Sequence, residues 1–336
     1  MLPVRGIGDV TPGDDLAELI TRAAPWLAAG DVLVVTSKIV SKAEGRLVEV
    51  PADGPEREAA RERVLAAETA RVVARRGPTT IVQTHHGFVM AAAGIDASNV
   101  DKTHLVLLPA DPDASARALR SALLAKGLDV GVIVSDTMGR AWRNGLTDVA
   151  LGAAGIEPVR DHRGEIDPYG NELQLTQMAV IDELASAGEL VKGKCDQVPV
   201  AVVRGYPRTL VDEEQGAKPL LRDAASDMFS LGTAEARAAG LRDAARLTSP
   251  RPGSGPVDAA AVDRALVTVS EVITPGTAVE LTEGDTLSLT PPDSTPQAFM
   301  RLGADAHRLR AALAAEGITS ELTPQDEGLL LTLHTA

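Results

Sequence analysis

VGVIVSDTMGRAWRNGLTDVALGAAG, residues Val130–Gly155, carries the densest chemistry in the chain. Its first five residues, Val130 to Val134, form an apolar, mostly β-branched run that predicts a buried strand. Ser135, Asp136 and Thr137 follow directly, then Gly139, Arg140, Arg143, Asn144 and Gly145. Carboxylate and hydroxyl oxygens at a strand end suit a hard cation such as Mg²⁺ or Mn²⁺. Arginines neutralise phosphoryl oxygens, and glycines let the backbone come close. The segment therefore predicts a site for a metal-bound phosphate. A strand, a polar turn and a solvated basic loop would give the same letters.

One other stretch favours the chemical reading, and a second is compatible with it while by itself reading as a solvated basic turn. AGIDASNV (Ala93–Val100) sets Asp96 and Asn99 in a small-residue loop after the apolar run Phe88-Val89-Met90. Asp96 and Asp136 each follow an expected strand, so two distant carboxylates can meet at one cation. DVLVVTSKIVSKAEG (Asp31–Gly45) opens with the apolar strand Val32 to Val35 and then carries Ser37, Lys38, Ser41 and Lys42. Hydroxyls donate hydrogen bonds to phosphate oxygens and Lys supplies a point charge. The glycines of a Walker A loop are missing.

Composition narrows the class. The chain has 336 residues, 44% of them hydrophobic but only 2% aromatic, so its cores are built from Ala, Val and Leu. A net charge of −14 disfavours nucleic-acid or membrane-surface binding, which needs clustered Lys and Arg. Cys195 is the only cysteine, which excludes an internal disulfide and fits a reducing compartment. No signal-peptide core or run of transmembrane length is visible, so the expected location is the cytoplasm.

Further along, Asp14 or Asp15 caps an expected helix through Leu16, Leu19, Ile20 and Ala23. Glu56–Arg76 has the strong helix formers of one long helix. His85 and His86 are neighbours in a turn, and adjacent strand side chains would diverge, so no metal role is assigned to them. Leu105–Leu108 predicts a short strand. Asp111 and Asp113 predict the cap and first turn of a helix through Leu119 and Leu123. Asp167–Leu173, DPYGNEL, is a turn, followed by an expected helix over 176–187. Lys192 and Lys194 lie in a Gly-flanked loop before the strand Val198–Val203. Ser249–Pro256 is a Pro/Gly/Ser linker. Beyond it the pattern reads helix, strand, helix, strand over Asp258–Ser270, Asp285–Leu289, Gln297–Glu316 and Leu329–Leu333.

In order, VVTSKIVSKAEGR, AGIDASNV, SDTMGRAWRNG and DPYGNEL resemble the coenzyme F420-0:γ-glutamyl ligases, most closely the ligase half of the two-domain actinobacterial enzyme. The resemblance spans about residues 1 to 245 and ends with LLRDAASDMFSLGTAEA. Periodicity alone suggests a doubly wound parallel sheet. The resemblance instead implies an α/β (α+β) fold of mixed, largely antiparallel sheets, intertwined as a homodimer. The composition break and the periodicity of the tail divide the chain into domains over 1–246 and 257–336, joined by the linker 247–256, the second a small separate α/β domain.

The resemblance also implies the reaction: GTP-dependent addition of γ-linked L-glutamate to F420-0 through an acyl phosphate. Asp96, Asp136 and Thr137 would hold Mg²⁺ or Mn²⁺, two ions in all, with K⁺ as a further ion. The Ile7-Gly8-Asp9-Val10 loop, Ser37, Lys42 and Asn99 would hold nucleotide. Lys192 and Lys194 would meet phosphate or the acidic tail of the substrate, and they stand where archaeal relatives carry a Gly-Glu-Gly-Gly-Asp type of loop. Arg140 and Arg143 are assigned to the γ-phosphate or the substrate's phosphodiester from charge and spacing alone. The tail of about eighty residues is too short for the flavin-binding domain of two-domain relatives, so no flavin is expected. Two alternatives remain at this level: a metal-dependent ligase for a different amino acid or acceptor, and a non-catalytic nucleotide-binding or assembly protein.

Overall fold

The structure, a computed structural model, describes residues 1–98, 100–194, 196–207, 215–247, 256–282 and 285–335. Asn99, Cys195 and most of the expected linker, residues 248–255, lie outside the described residues. The chain divides into two compact units, Met1–Ala234 and Glu235–Ala336.

The first unit begins with β1 (Leu2–Val4), α1 (Leu16–Ala23), β2 (Val32–Thr36), α2 (Ser37–Ala43) and β3 (Leu47–Glu49). Next come α3 (Gly54–Ala67), β4 (Thr69–Arg76), β5 (Thr79–Thr84), β6 (Val89–Ala91), β7 (His104–Val106) and α4 (Pro112–Ala125). Then follow β8 (Gly131–Arg140), β9 (Arg143–Ala154), β10 (Arg160–Asp161), β11 (Gln177–Met178), α5 (Val180–Lys192) and β12 (Val200–Val203). Helix α6 (Thr233–Arg246) begins at the division between the units.

The central sheet has the order β1-β12-β2-β8-β9. Only β2 and β8 run parallel; the other three pairs are antiparallel. Leu33, Val35, Val132 and Val134 face a core shared with α1, α2 and α4. Val32, Val34 and Ile133 face the opposite core against α5. Burial on both faces explains why these strands read as unbroken apolar runs. Two glycines permit the close layers. A Cβ at Gly152 would lie 2.2 Å from the Pro112 backbone, and one at Gly188 would lie 2.9 Å from Val34. Three smaller sheets, β3-β7, β4-β5-β6 and β10-β11, complete the strands of this unit. The fold is thus mixed α/β with several mainly antiparallel sheets, and the parallel doubly wound arrangement suggested by periodicity does not form.

Several local expectations change. The helix expected over 56–76 stops at Ala67, and Thr69–Arg76 is β4, paired with β5. The strand expected over 130–134 continues to Arg140, because β9 folds back on it as a hairpin and satisfies its backbone. The helix expected over 176–187 is Val180–Lys192, so Lys192 ends a helix rather than lying in a loop.

The second unit contains α7 (Ala259–Val269), β13 (Ala278–Thr282), β14 (Thr286–Thr290), α8 (Pro296–Ala315), β15 (Ile318–Gln325) and β16 (Gly328–Thr335). Its all-antiparallel sheet has the order β13-β14-β16-β15. Leu287, Leu289, Leu331 and Leu333 pack with Leu302, Leu309 and Leu313 of α8 and with Val262 and Ala265 of α7. The sequence pattern had two strands here; β13 and β15 are the additions. Among the described residues no helix is long and apolar enough to cross a membrane.

Candidate active site

Parallel pairing of β2 with β8 sets Thr36 opposite Ser135, so both strands deliver their following residues to one edge. Ser37 opens α2 there, and Asp136 comes next on β8. Asp96 reaches the same edge from the loop after β6. Its backbone pairs with Val106, and its side chain meets the Lys38 ammonium at 2.6 Å. Ser98 donates to Asp96 Oδ1 from its backbone nitrogen at 2.6 Å, and its Oγ accepts from Lys38 at 2.8 Å. Burial works against the Asp96 charge, but Lys38 and the Ser98 amide more than offset it and hold the carboxyl below its ordinary range.

Asp136 is in the opposite condition. Its Oδ1 accepts one hydrogen bond, from the Thr137 amide at 2.9 Å. Burial, together with the negative charges of Asp148 and Asp96, pushes its pKa up to about 7, with Lys38 giving only partial relief. Asp96 is paired with Lys38, and both lie within electrostatic range of Asp136, where the Asp96 charge raises the Asp136 pKa and Lys38 lowers it. A half-buried carboxylate with so little compensation favours a cation beside it.

Strand alternation puts the neighbours of Asp136 on the other face of β8. There Ser135 Oγ donates to Asp148 Oδ2 at 2.9 Å, and Thr137 Oγ1 donates to Asp148 Oδ1 at 2.8 Å. Lys192 closes on Asp148 Oδ2 at 2.9 Å and on Glu189 at 3.2 Å. It also donates to Thr36 Oγ1 and Ser135 Oγ. Lys194 bridges Glu189 at 2.7 Å and Thr137 Oγ1 at 2.6 Å. Burial opposes the Asp148 charge, and Lys192 with the two hydroxyls overcomes it, keeping the carboxyl low. The hydroxyl of Thr137 is thus engaged on this face, away from the Asp96–Lys38 pair.

The expected nucleotide residues gather at α2. Ile7 and Val10 are buried in the core and anchor their loop, Gly8 adopts φ +80°, and exposed Asp9 meets Lys42 at 2.7 Å. That hydrogen bond and the lysine charge lower the Asp9 pKa. Ser37 is buried at the start of the same helix. Arg140 and Arg143 stand apart, paired across the tip of the β8–β9 hairpin and exposed. Arg140 is four positions along the strand from Asp136, about 13 Å. Exposed Trp142 lies between them and packs edge to face on Phe229 at 4.7 Å.

Among the described residues no three His, Cys, Asp or Glu side chains form a metal cage. Asp96 and Asp136 are the carboxylates a cation would find at this edge. Sequence reasoning missed Asp148 and Glu189, and gave Lys38 no specific task. The available signal for Asp148 was an acid inside a strand of small apolar residues, DVALGAA.

The comparisons with known proteins cover the part of the chain that contains these residues. The family model described as F420-0:Gamma-glutamyl ligase matches residues 6–205, which include every candidate residue named above. The chain is 41% identical over 246 residues to the coenzyme F420:L-glutamate ligase of Methanothermobacter thermautotrophicus, covering 68% of this chain and 98% of that protein. It is 42% identical over 235 residues to the protein of the same name from Methanopyrus kandleri, covering 66% and 93%. With the Archaeoglobus fulgidus protein of that name it shares 42% over 217 residues, covering 61% and 87%.

Proposed function

The chain belongs to the F420-0:gamma-glutamyl ligase family, and from that premise we propose that it joins L-glutamate to coenzyme F420-0 at the expense of GTP. A carboxylate is a poor electrophile, so it must first be activated. In this reading the terminal carboxylate oxygen of F420-0 attacks the γ-phosphorus of GTP, and GDP leaves. The glutamate amine then attacks the carbonyl carbon of the resulting acyl phosphate. Phosphate departs, the nitrogen loses a proton, and an amide remains. Later rounds add γ-linked glutamates by the same two steps.

The observation that supports the reading most directly is that the Asp96–Lys38 pair lies within electrostatic range of Asp136, which follows the shared end of β2 and β8. Two carboxylates without a full protein cage match a Mg²⁺ or Mn²⁺ ion that takes its other ligands from substrate phosphates and water. Such a cation, when bound, supplies charge stabilisation to the phosphoryl oxygens. The protein's own contribution is positioning and fixed charge. Asp96 and Asp136 hold the cation, and Lys38 and Lys42 present ammonium groups to phosphate. The Ile7–Val10 loop and Ser37 bound the nucleotide. Arg140 and Arg143, at the hairpin tip, suit the distal phosphodiester of F420-0 better than the γ-phosphate. The reading includes a homodimer, supported by exposed Trp142, Leu146 and Phe229, an apolar area that a second copy would cover.

The deciding experiment is a mass spectrum of F420-0 incubated with the protein, GTP, Mn²⁺ and L-glutamate. A gain of one glutamyl unit, with one GDP formed for each unit added, is expected. Absence of any glutamyl adduct would sink the proposal, and an adduct with another amino acid from a panel would redirect it.

A further inference from the structure

Resting on the proposed metal-dependent ligation, we infer that the buried Asp148–Lys192 pair is the positioning device that aims Asp136 at the cation. The pair is sealed: the side chains of Asp148 and Lys192 are 2% and 1% exposed. Enclosing two charges costs several kcal/mol per ion, and well-packed apolar residues of similar size often serve stability equally well. Stability alone is therefore a weak reason for its presence.

What the pair touches is specific. Asp148 takes hydrogen bonds from Ser135 and Thr137, the residues immediately before and after Asp136. The strand is irregular at this point. Pairing runs from Val134↔Gly152 to Ser135↔Ala150, leaving Leu151 as an extra residue on β9. Bulges of this kind re-aim neighbouring side chains, and they require something to fix the new direction. Asp148 fixes it by holding both flanking hydroxyls. Lys192 in turn fixes Asp148, and through Thr36 and Ser135 it ties the adjoining ends of β2 and β8 together. Glu189 on α5 secures Lys192 and Lys194, and Lys194 returns to Thr137. Among the described residues, the charged groups of this network are partnered, while Asp136, flanked by Ser135 and Thr137, accepts a single hydrogen bond, from the Thr137 amide.

The test uses the full chain and the double variant Asp148→Leu/Lys192→Met, which removes both charges together. Thermal unfolding reports folding, and the free-Mn²⁺ electron paramagnetic resonance signal, with GDP present, reports metal affinity independently of turnover. With Tm within a few degrees of the parent, a Kd for Mn²⁺ raised tenfold or more is expected. In the ligation assay kcat falls while KM for L-glutamate stays the same. Parent-like Mn²⁺ affinity in the folded double variant would overturn the inference, leaving the pair with a merely structural role. Should that variant fail to fold, Ser135→Ala, which deletes one hydrogen bond to Asp148, replaces it. A Kd raised threefold or more supports the inference, and an unchanged Kd overturns it. A parent protein that binds no Mn²⁺ also overturns it. A parent that binds Mn²⁺ yet forms no glutamyl product removes the proposed reaction, and the variant affinities still decide the positioning role.

Discussion

Lys38 and Asp96 meet at 2.6 Å beside Asp136 with 17% and 40% of their side chains exposed, whereas Lys192 and Asp148 meet at 2.9 Å beneath it with 1% and 2% exposed. The chemistry is the same, but the surroundings reverse the consequences. At the open pair, water and arriving ligands compete for both partners, so the contact is exchangeable and worth little to stability. At the closed pair nothing can replace either partner, so removing one strands the other. Asp136 lies between an adjustable edge and a fixed base, which is how a site holds its geometry while its ligands come and go.

The comparison can be broken in order of effect. Asp136→Asn should lower the glutamyl-transfer rate by about a thousandfold, the loss of about 4 kcal/mol of charge stabilisation; a product assay measures it, and a drop of less than tenfold would remove Asp136 from the centre of the site. Lys192→Met alone should destabilise the first unit by about 3–5 kcal/mol in urea unfolding, because Asp148 keeps its charge without a partner. Asp136→Asn should also stabilise the protein at neutral pH and above, on the order of 4 kcal/mol at pH 8. The folded protein holds the Asp136 proton up to about pH 7 while an unfolded chain releases it near 3.8. The cost of Asp136 therefore builds as pH rises from about 4 to about 7, stays constant above that, and is relieved as pH falls toward 4. Tm measured from pH 4 to 8 should show the gain vanish at the acid end; a uniform gain would mean that burial is not its cause. Lys38→Met should shift stability by less than about 1 kcal/mol, while KM for GTP rises several-fold; a large fall in Tm would erase the distinction between the two pairs.

The parts of the molecule that were legible in the sequence are those whose surroundings are uniform. β2 and the first half of β8 are buried on both faces, so every position is apolar and the run is visible. The second half of β8 is polar because each face meets a different part of the site, and only the return of β9 makes it a strand. β4 was hidden because Arg71 on one side and Arg75 and Arg76 on the other leave only the short apolar run Val72-Val73-Ala74, and its helix-like letters continue those of α3. β13 and β15 turn Thr and Glu outward and carry few buried residues. Asp96 and Asp136 stood out because each follows an apolar run and sits among small residues. Lys192 was placed in a loop because Gly193 follows it, and nothing near it in sequence announces Asp148. Long-range pairing of charges leaves no periodic trace, so half of the site's support could be seen only once the chain was folded.

Gly188 sits one helical turn before Lys192, with its α-carbon face close against Val34. Alanine is the better helix former by about 1 kcal/mol, so by local preference alone the exchange would be an improvement. Its methyl group would instead wedge α5 outward and draw the lysine away from its aspartate. The residue without a side chain therefore sets how far the ammonium can reach, and a mutation that strengthens the helix would loosen the hold of Lys192 on Asp148.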